Sequence, residues 1–493
     1  MALAAAAGLF LLTLVAANVV LSTRILRSAL DKGPDKTHID YGSARSLWPG
    51  HLTVRNLRIR DRDLKAEWVI ELDEARVSYS VLGLLNKKFH ARTVRGRGLV
   101  FRARNRREPE RAAREGSRHL PPIPGFSDPP TLRTGEKRPP RTGKEWTVRV
   151  GNLAVDGVRQ IWVDTARFDG DGRLTGGFSL RPKVEAEVFP TSLTVRRGRL
   201  SLGGAEVLVD LEAALDGLIR RWRPHESPGA AVVRFVDGKV SFAARSAEKA
   251  ELDRLLGGFG QIRLERGRLA LHGDARLREA LARGAVRFSS DDFAARIVDL
   301  KFAGKLSGRL AVARYDLRTG AAELSGSHAE IRGVTLEESE AARKPWWGRV
   351  ELSAGKVKLP RSPTITGRVT ARARNARPLL AILKVDLPRW VKGLVDLEGV
   401  TARADLRLGK SLLEVERLDA RVGDYHVQGD YTARGKARRA VVLVDLGALS
   451  VGIGVQGEER EVQIIGPRKW FREQTGREPR DADSDEKKPG VKR

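Results

Sequence analysis

The sequence of 493 residues predicts a mainly β protein, an elongated and curled sheet or trough, with a few short helices and one N-terminal transmembrane helix. Short runs in which apolar and polar residues alternate recur from 146 to 471, and Gly, Asp or Asn separate them. An uncharged apolar segment at the start of the chain predicts the transmembrane helix. Helices do not alternate regularly with strands, which disfavours a Rossmann or TIM-barrel arrangement.

Residues 1–23 carry no charged side chain and have the length, about 20 residues, that a membrane-spanning helix requires. We assign 1–30 to an anchor and its flank. A cleaved signal peptide is the alternative, because 15–17 resembles a cleavage site, and a buried core helix is a third. Basic residues between 24 and 32 by themselves favour a cytoplasmic body. The apolar residues expected to face lipid are Leu9, Phe10, Leu11, Leu12, Leu14 and Val15.

Residues 31–101 form an N-terminal β region, in which alternation over 75–79 predicts a strand and 80–85 predicts a short helix. The composition changes at 102, and eight prolines lie among arginines and glutamates up to 145. Such a segment favours a disordered or extended linker. At the other end, 472–493 mixes both charge signs without apolar periodicity and predicts a disordered tail.

A five-residue phrase recurs in the main body, 146–471, which we assign to a repetitive β-rich groove domain. Each phrase has a turn glycine, a basic residue that faces one way and two apolar residues, two positions apart, that face the other way, as at the start of a half-buried strand. The intervals between phrases vary, so a solenoid with a fixed period does not follow. The phrases cover 198–202, 238–242, 267–271, 308–312, 348–352 and 355–359.

Strands of this kind close into barrels, pair into sandwiches, or curl into a trough with an apolar interior. Short helices are predicted to interrupt them at 212–222, 247–259, 276–283 and 379–395. The apolar pairs are candidates for lining a trough, with the core of a closed sandwich as the alternative interpretation. The candidate lining residues are Leu200, Leu202, Val240, Phe242, Leu269, Leu271, Val357 and Leu359.

The charge of +29, from 91 Lys and Arg against 62 Asp and Glu, raises nucleic acid, an anionic membrane surface or an Arg-rich solvent face as explanations. Arg58 and Arg60 alternate past Leu57 and Ile59, as on a solvated outer face. Only 6% of the residues are aromatic, and no recognition helix or stacking cluster is evident. We therefore expect no nucleic-acid partner, whereas attraction to anionic membrane remains compatible with the pattern.

Searches for catalytic, cofactor and metal motifs give no candidate residues. The absence of cysteine excludes thiol nucleophiles and cysteine-ligated metals. Residues 452–457 match Gly-x-Gly-x-x-Gly, but a strand pattern follows where a dinucleotide site needs a helix, so we interpret 451–455 as a strand with one bare face. The eight histidines lack the spacing of metal ligands. We predict no enzymatic activity.

Three stretches carry a resemblance to a known family. After the apolar N-terminal segment, residues 47–59 and 75–89 resemble the beginning of AsmA-like proteins, and 423–429 are similar in style. The AsmA-like and TamB-like superfamily is related in architecture to bridge-like lipid-transfer proteins. The resemblance is best over 1–101 and concerns only style over 146–471.

The resemblance implies a single-pass protein of the bacterial inner membrane, with its body in the periplasm and a β-groove that binds or conducts phospholipid toward the outer membrane. It also implies an envelope protein as partner at the distal end. The implied topology opposes the charge bias after the anchor, and we follow the resemblance because long domains translocate largely regardless of charge. The alternative is a non-conducting envelope assembly scaffold with a closed β core.

Overall fold

The structure is a computed structural model that describes residues 38–62, 65–132, 146–181, 184–223, 226–227, 229–247, 262–297, 300–335, 345–358, 364–376, 397–409, 411–435 and 437–480. Strands account for 73% of these residues and helices for 7%, in one large mixed sheet, which confirms the mainly β class. The predicted anchor at 1–30 lies outside the described residues. Across the described ranges, no helix has the length and hydropathy needed to span a bilayer.

The described chain consists mainly of β-strands, most of which follow one another after only a few residues. Its helices are α1 (Val81–Leu85), α2 (Pro109–Glu115), a 3-10 helix (Gly229–Phe235) and α3 (Pro467–Thr475). Its strands are β1 (His38–Asp40), β2 (Ser43–Trp48), β3 (His51–Arg62), β4 (Ala66–Tyr79), β5 (Lys88–Asn105), β6 (Thr147–Val163), β7 (Ala166–Arg181), β8 (Glu185–Leu202), β9 (Ala205–Trp222), β10 (Val236–Ser246), β11 (Ile262–Arg266), β12 (Ala270–Arg278), β13 (Leu281–Ile297), β14 (Leu300–Asp316), β15 (Ala321–Glu323), β16 (Ser327–Thr335), β17 (Trp346–Lys358), β18 (Thr364–Ala373), β19 (Val400–Leu408), β20 (Leu412–Val422), β21 (Tyr425–Arg434), β22 (Ala437–Leu446), β23 (Leu449–Gln456) and β24 (Glu459–Gln463).

Contacts divide the chain into two units, Met1–Arg245 with Asp274–Ala280 and Ser246–Gly273 with Leu281–Arg493. In the first unit, β3 to β9 pair in chain order and antiparallel, except that β5 and β6 are parallel. A parallel pair needs a crossover connection because the chain must return to the same end of the sheet. The segment between β5 and β6 provides this crossover.

The predicted linker at 102–145 is corrected over 102–132. Arg102–Asn105 extend β5, and the next residues include α2 and the buried side chains of Leu120 and Ile123. The backbone of this segment is held by arginines of the sheet, as when Arg60 donates from Nη1 to the carbonyl of Pro124 at 2.6 Å. Composition alone predicts disorder because it does not include these tertiary partners. Residues 133–145 lie outside the described residues.

Two of the predicted helices are strands. Residues 212–222 belong to β9, where Asp210 at φ 50° forms a bulge that lets Leu208 and Leu211 face the same side. Residues 213–217 each lie opposite a residue of β8, and this pairing with a neighbouring strand, which no local pattern contains, makes them a strand. Residues 276–283 form the end of β12, a turn and the start of β13. The predicted helices over 248–259 and 379–395 lie outside the described residues.

In the second unit, β17 to β24 pair in chain order as an antiparallel meander. The predicted tail is corrected over 472–480, because α3 continues to Thr475 and the chain then crosses the sheet. The amide of Gln428 holds this crossing, since its Nε2 donates to the carbonyl of Arg480 and its Oε1 accepts from the Arg480 amide, both at 2.8 Å. Residues 481–493 lie outside the described residues.

Candidate functional site

The first unit carries one continuous apolar surface, which we call the apolar face. Its members come from seven neighbouring strands, β4 to β10, and are in mutual contact on one side of the sheet. The buried members are Leu99, Val155, Val158, Phe168, Val195, Leu211 and Ala244, and the partly buried members are Ile70, Leu72, Leu153, Ile161, Leu174, Leu193, Leu200, Leu208, Ala213 and Phe242.

The strand register aligns the apolar face into rows. Ile161, Phe168, Leu200 and Leu208 are direct cross-strand neighbours from β6 to β9. A second row, Val155, Leu174 and Leu193, runs beside it from β6 to β8. Directly opposite residues in a sheet point to the same side and contact each other. The rows therefore run across the strands, and the apolar face is continuous in the direction of hydrogen bonding.

A bulge keeps β6 in phase with these rows. Strict alternation would place Val155 and Val158 on opposite faces, because they are three positions apart. Gly157 between them has φ 68°, which an L side chain rarely adopts, and the extra residue returns Val158 to the apolar face. The sequence offered only one signal for this bulge, the glycine that interrupts the alternation of β6.

The opposite, outer face of the sheet carries a ladder of polar contacts from β3 to β7. Arg58 donates from Nε to Glu71 at 2.8 Å, and the other Glu71 oxygen lies 3.7 Å from Arg102. Arg102 donates from Nε to Gln160, and Gln160 donates from Nε2 to Asp169, both at 2.8 Å. Basic residues on this face are therefore matched by acceptors on neighbouring strands, as a solvated polar face requires.

The predicted lining residues do not form one set. Leu200 and Phe242 lie on the apolar face, whereas Leu202 is exposed at the end of β8. Val357 is buried in a separate cluster of the second unit with Ala322 and Leu324. Val240, Leu269 and Leu271 are half-buried, and Leu359 lies outside the described residues. Bulged strands supplied members such as Val158 and Leu211 that the five-residue phrase did not identify.

The second unit contains a strand that is buried on both sides. Val442 and Val444 of β22 belong to one apolar cluster, and Val441 and Leu443 pack under α3 on the other side. Residues 451–455 lie in β23 as predicted, and β24 follows them. The Trp470 ring covers the bare face of β23, where a Cβ on Gly452 would lie 2.6 Å from it. This confirms a closely packed strand over 451–455.

The described part of the chain brings no three His, Asp or Glu side chains together in a way that could hold a metal ion. The fold thus defines a class, a mainly β protein whose first unit carries a continuous apolar sheet face. No known family model, curated protein or solved structure matches the chain.

Proposed function

We propose that the apolar face binds phospholipid acyl chains, and that the chain is an AsmA-like envelope protein conducting phospholipid between the inner and outer bacterial membranes. The observation that carries the proposal is the alignment of apolar rows across neighbouring strands, with most of their members only partly buried. Contiguous apolar surface that a protein leaves partly open is typical of a site for an apolar ligand.

The dimensions of the face suit an acyl chain. Seven strands at about 4.8 Å spacing span about 29 Å. One leaflet of a bilayer is about 15 Å of hydrocarbon, half of the roughly 30 Å core, so an extended acyl chain fits along the rows. Each methylene that leaves water contributes about 0.8 kcal/mol, so a chain lying along several strands is held without any polar contact.

Burial within the face supports a curled sheet. Val158 is 0% exposed and Val155 2%, although every described member of their cluster comes from the same sheet. A flat single layer would leave such side chains open to water on one side. Twist and coiling that make the apolar face concave bring its rows toward one another, which is the geometry of a trough.

The membrane part of the proposal rests on the sequence. Residues 1–30 anchor the protein in the inner membrane, the body lies in the periplasm, and another envelope protein receives the distal end. An alkaline phosphatase fusion at the C-terminus tests the topology, because this reporter is active only outside the cytoplasm. Activity is expected, and an inactive reporter on a stable fusion would overturn the periplasmic assignment.

A non-conducting assembly scaffold with a closed β core is the second candidate. The burial of β22 on both sides, by Val442 and Val444 on one face and Leu443 on the other, favours it for the second unit. A scaffold of this kind would carry no stoichiometric phospholipid. The two candidates therefore differ in the lipid content of the purified protein.

Lipid extracted from the full chain, purified in detergent, is quantified by mass spectrometry against protein. Phe242→Asp places a carboxylate on the apolar face, and its desolvation costs several kcal/mol, so we expect at least about tenfold less phospholipid. Ser241→Asp is the matched control, because Ser241 is the exposed neighbour on the same strand. Wild-type protein without phospholipid would favour the scaffold.

A photo-crosslinking residue tests which side of the sheet contacts lipid. At Leu193, on the apolar face, we expect crosslinks to radiolabelled phospholipid in cells, and at the exposed neighbour Thr194 we expect none. Crosslinking does not require the variant to conduct lipid, so it separates binding from transport. Equal crosslinking at both positions would show that the lipid comes from the surrounding membrane.

A further inference from the structure

The polar face of β18 to β21 in the second unit is arranged in rows, as the apolar face of the first unit is. Thr370, Arg403, Asp419 and Gln428 are direct cross-strand neighbours on four successive strands. A parallel row consists of Arg372, Thr401, Arg421 and His426. Arg368 opposite Asp405 begins a third row. Because the rows are two residues apart, all of these side chains share one face.

An open cavity of about 690 Å³ lies on this face. Five arginines line it, from three strands and from the C-terminal segment that crosses the sheet. They are Arg368, Arg403, Arg417, Arg421 and Arg480. Ligand pockets of small molecules typically have volumes of roughly 300–1,000 Å³. The cavity is therefore large enough for a small ligand or the headgroup of a larger one.

The acidic residues of the cavity do not balance its arginines. Asp405 is shared, because Arg368 lies 3.5 Å away and Arg417 contacts its other oxygen. Asp419 is shared as well, by Arg480 at 3.4 Å and the ring of His426 at 3.2 Å. Three of the five arginines, Arg368, Arg417 and Arg480, thus share two aspartates, and neither aspartate pairs with Arg403. Like charges held close together are unfavourable unless an anion joins them.

Arg403 is central to this excess. It is exposed on β19 and forms no ion pair within the described ranges, although Asp419 is its cross-strand neighbour. The ladder on the outer face of the first unit is different, because each of its arginines has an acceptor there. A guanidinium that lines a cavity and has no carboxylate paired with it among the described residues is well placed to bind an external anion.

We propose that this cavity binds a phosphate group, carried by a small molecule or by a lipid headgroup. Arginine is the side chain that recognises phosphate oxygens in pairs, because its planar fork presents two parallel donors. The hydroxyls of Thr370 and Thr401, which also line the cavity, add neutral donors. The site lies in the second unit and does not depend on the acyl-chain function proposed for the apolar face.

The test is isothermal titration calorimetry of the full chain in a nonionic detergent at physiological salt, which screens attraction between distant charges. The ligands are inorganic phosphate and dihexanoyl-phosphatidylglycerol, with dihexanoylglycerol as the phosphate-free control. Arg403→Ala is expected to weaken phosphate binding about tenfold or more, because a hydrogen bond between charged groups is lost. The fold should persist, since Arg403 is exposed.

Arg407→Ala is the matched control. Arg407 lies four residues further on the same strand and face, is exposed, and pairs with Glu414 at 3.6 Å outside the cavity. Both variants remove one positive charge, so equal weakening would mean attraction to total charge and would overturn the site. Absence of Arg403-dependent binding for both ligands would also overturn it.

The two ligands distinguish the source of the phosphate. If inorganic phosphate and the phosphatidylglycerol both bind, and both depend on Arg403, the site is supported and a free phosphate compound is a sufficient ligand. If only the phosphatidylglycerol binds in this way, the site is supported and its ligand is a lipid headgroup. Phe242→Asp should leave this binding unchanged, because it lies on the apolar face of the other unit. Failure of the acyl-chain proposal and failure of the phosphate site are thereby separable.

Discussion

Replacement of Arg104 by alanine should release the crossover segment of the first unit. The Arg104 side chain is 0% exposed and donates from Nε to Glu67 at 2.9 Å. It also donates to the backbone carbonyls of Pro121 at 3.1 Å and Ser127 at 2.9 Å, and it pairs with Asp128. One guanidinium therefore joins β4, β5 and the segment that composition predicts to be disordered.

The magnitude follows from what the substitution leaves behind. Glu67 is 1% exposed and would retain Arg62, which lies 2.8 Å away, as its ion-pair partner. Removing the partner of a buried charge costs about 3 to 5 kcal/mol when the charge is left unpaired, and the retained Arg62 places the loss at the lower end of that range. The carbonyls of Pro121 and Ser127 would lose a donor as well. We expect a local loss of stability in this range, which should open the segment around Pro121 and Ser127 more often.

Hydrogen exchange measured by mass spectrometry reports this loss without assuming a two-state transition of the whole chain. Peptides from 106–132 and from β5 should exchange faster in Arg104→Ala, and trypsin should cleave at Arg111 and Arg114 of α2. Arg102→Ala is the matched control, because Arg102 lies on the same strand and face but is partly exposed. Such a pair contributes about 0–1 kcal/mol.

A double-mutant cycle with Glu67→Ala tests the assigned partner. The two substitutions should be strongly non-additive, with a coupling free energy of about 2 kcal/mol or more, because each removes the same buried interaction. Additive effects, or equal protection of 106–132 in Arg104→Ala and Arg102→Ala, would refute the reasoning. The segment would then be held by its apolar contacts.

Two further predictions concern the second unit. Gly452→Ala should loosen the packing of α3 and lower the free energy of unfolding by about 1–3 kcal/mol, because the added Cβ would overlap the Trp470 ring. Thermal unfolding and proteolysis of α3 measure this loss. Gly409→Ala is the control, since its Cβ would meet an atom only at 3.6 Å, and it should change neither the unfolding temperature nor the proteolysis. Arg318 and its backbone amide donate to Asp316 and hold the pKa of that carboxyl well below its usual range. Stability from this contact is present above the ordinary carboxyl pKa and is lost as pH falls through the lowered value. NMR should therefore show the Asp316 carboxyl titrating well below the ordinary range of an aspartate, and an ordinary titration would contradict the contact.

Local patterns in the sequence were sufficient for the mainly β class and for some individual elements. Alternation of apolar and polar residues predicts strands because side chains in a strand point to opposite faces in turn. The short helix over 80–85 was predictable for a similar reason, since the Ser80 hydroxyl accepts from the Gly83 amide and caps α1. Both signals are contained within a few consecutive residues.

Sheet register had to come from the structure. Which strands neighbour each other places Phe168 opposite Leu200, and Arg403 opposite Asp419, over separations that no local pattern specifies. Bulges add to this difficulty, because one extra residue at Asp210 or Gly157 changes the face of every residue after it. For this reason only some of the candidate lining residues predicted from the sequence share the apolar face, and no sequence pattern indicated the arginine cavity.

What the sequence by itself determined is the alternation that makes the strands and the excess of positive charge. The tertiary structure decided which residues are in contact, and it decided that two segments whose composition predicts disorder are ordered. Residues 106–132 are held by Arg60 and Arg104, and residues 476–480 by Gln428, all from distant strands. A segment without its own core becomes ordered when side chains elsewhere form hydrogen bonds with its backbone amides and carbonyls. Those side chains become neighbours of the segment only through folding.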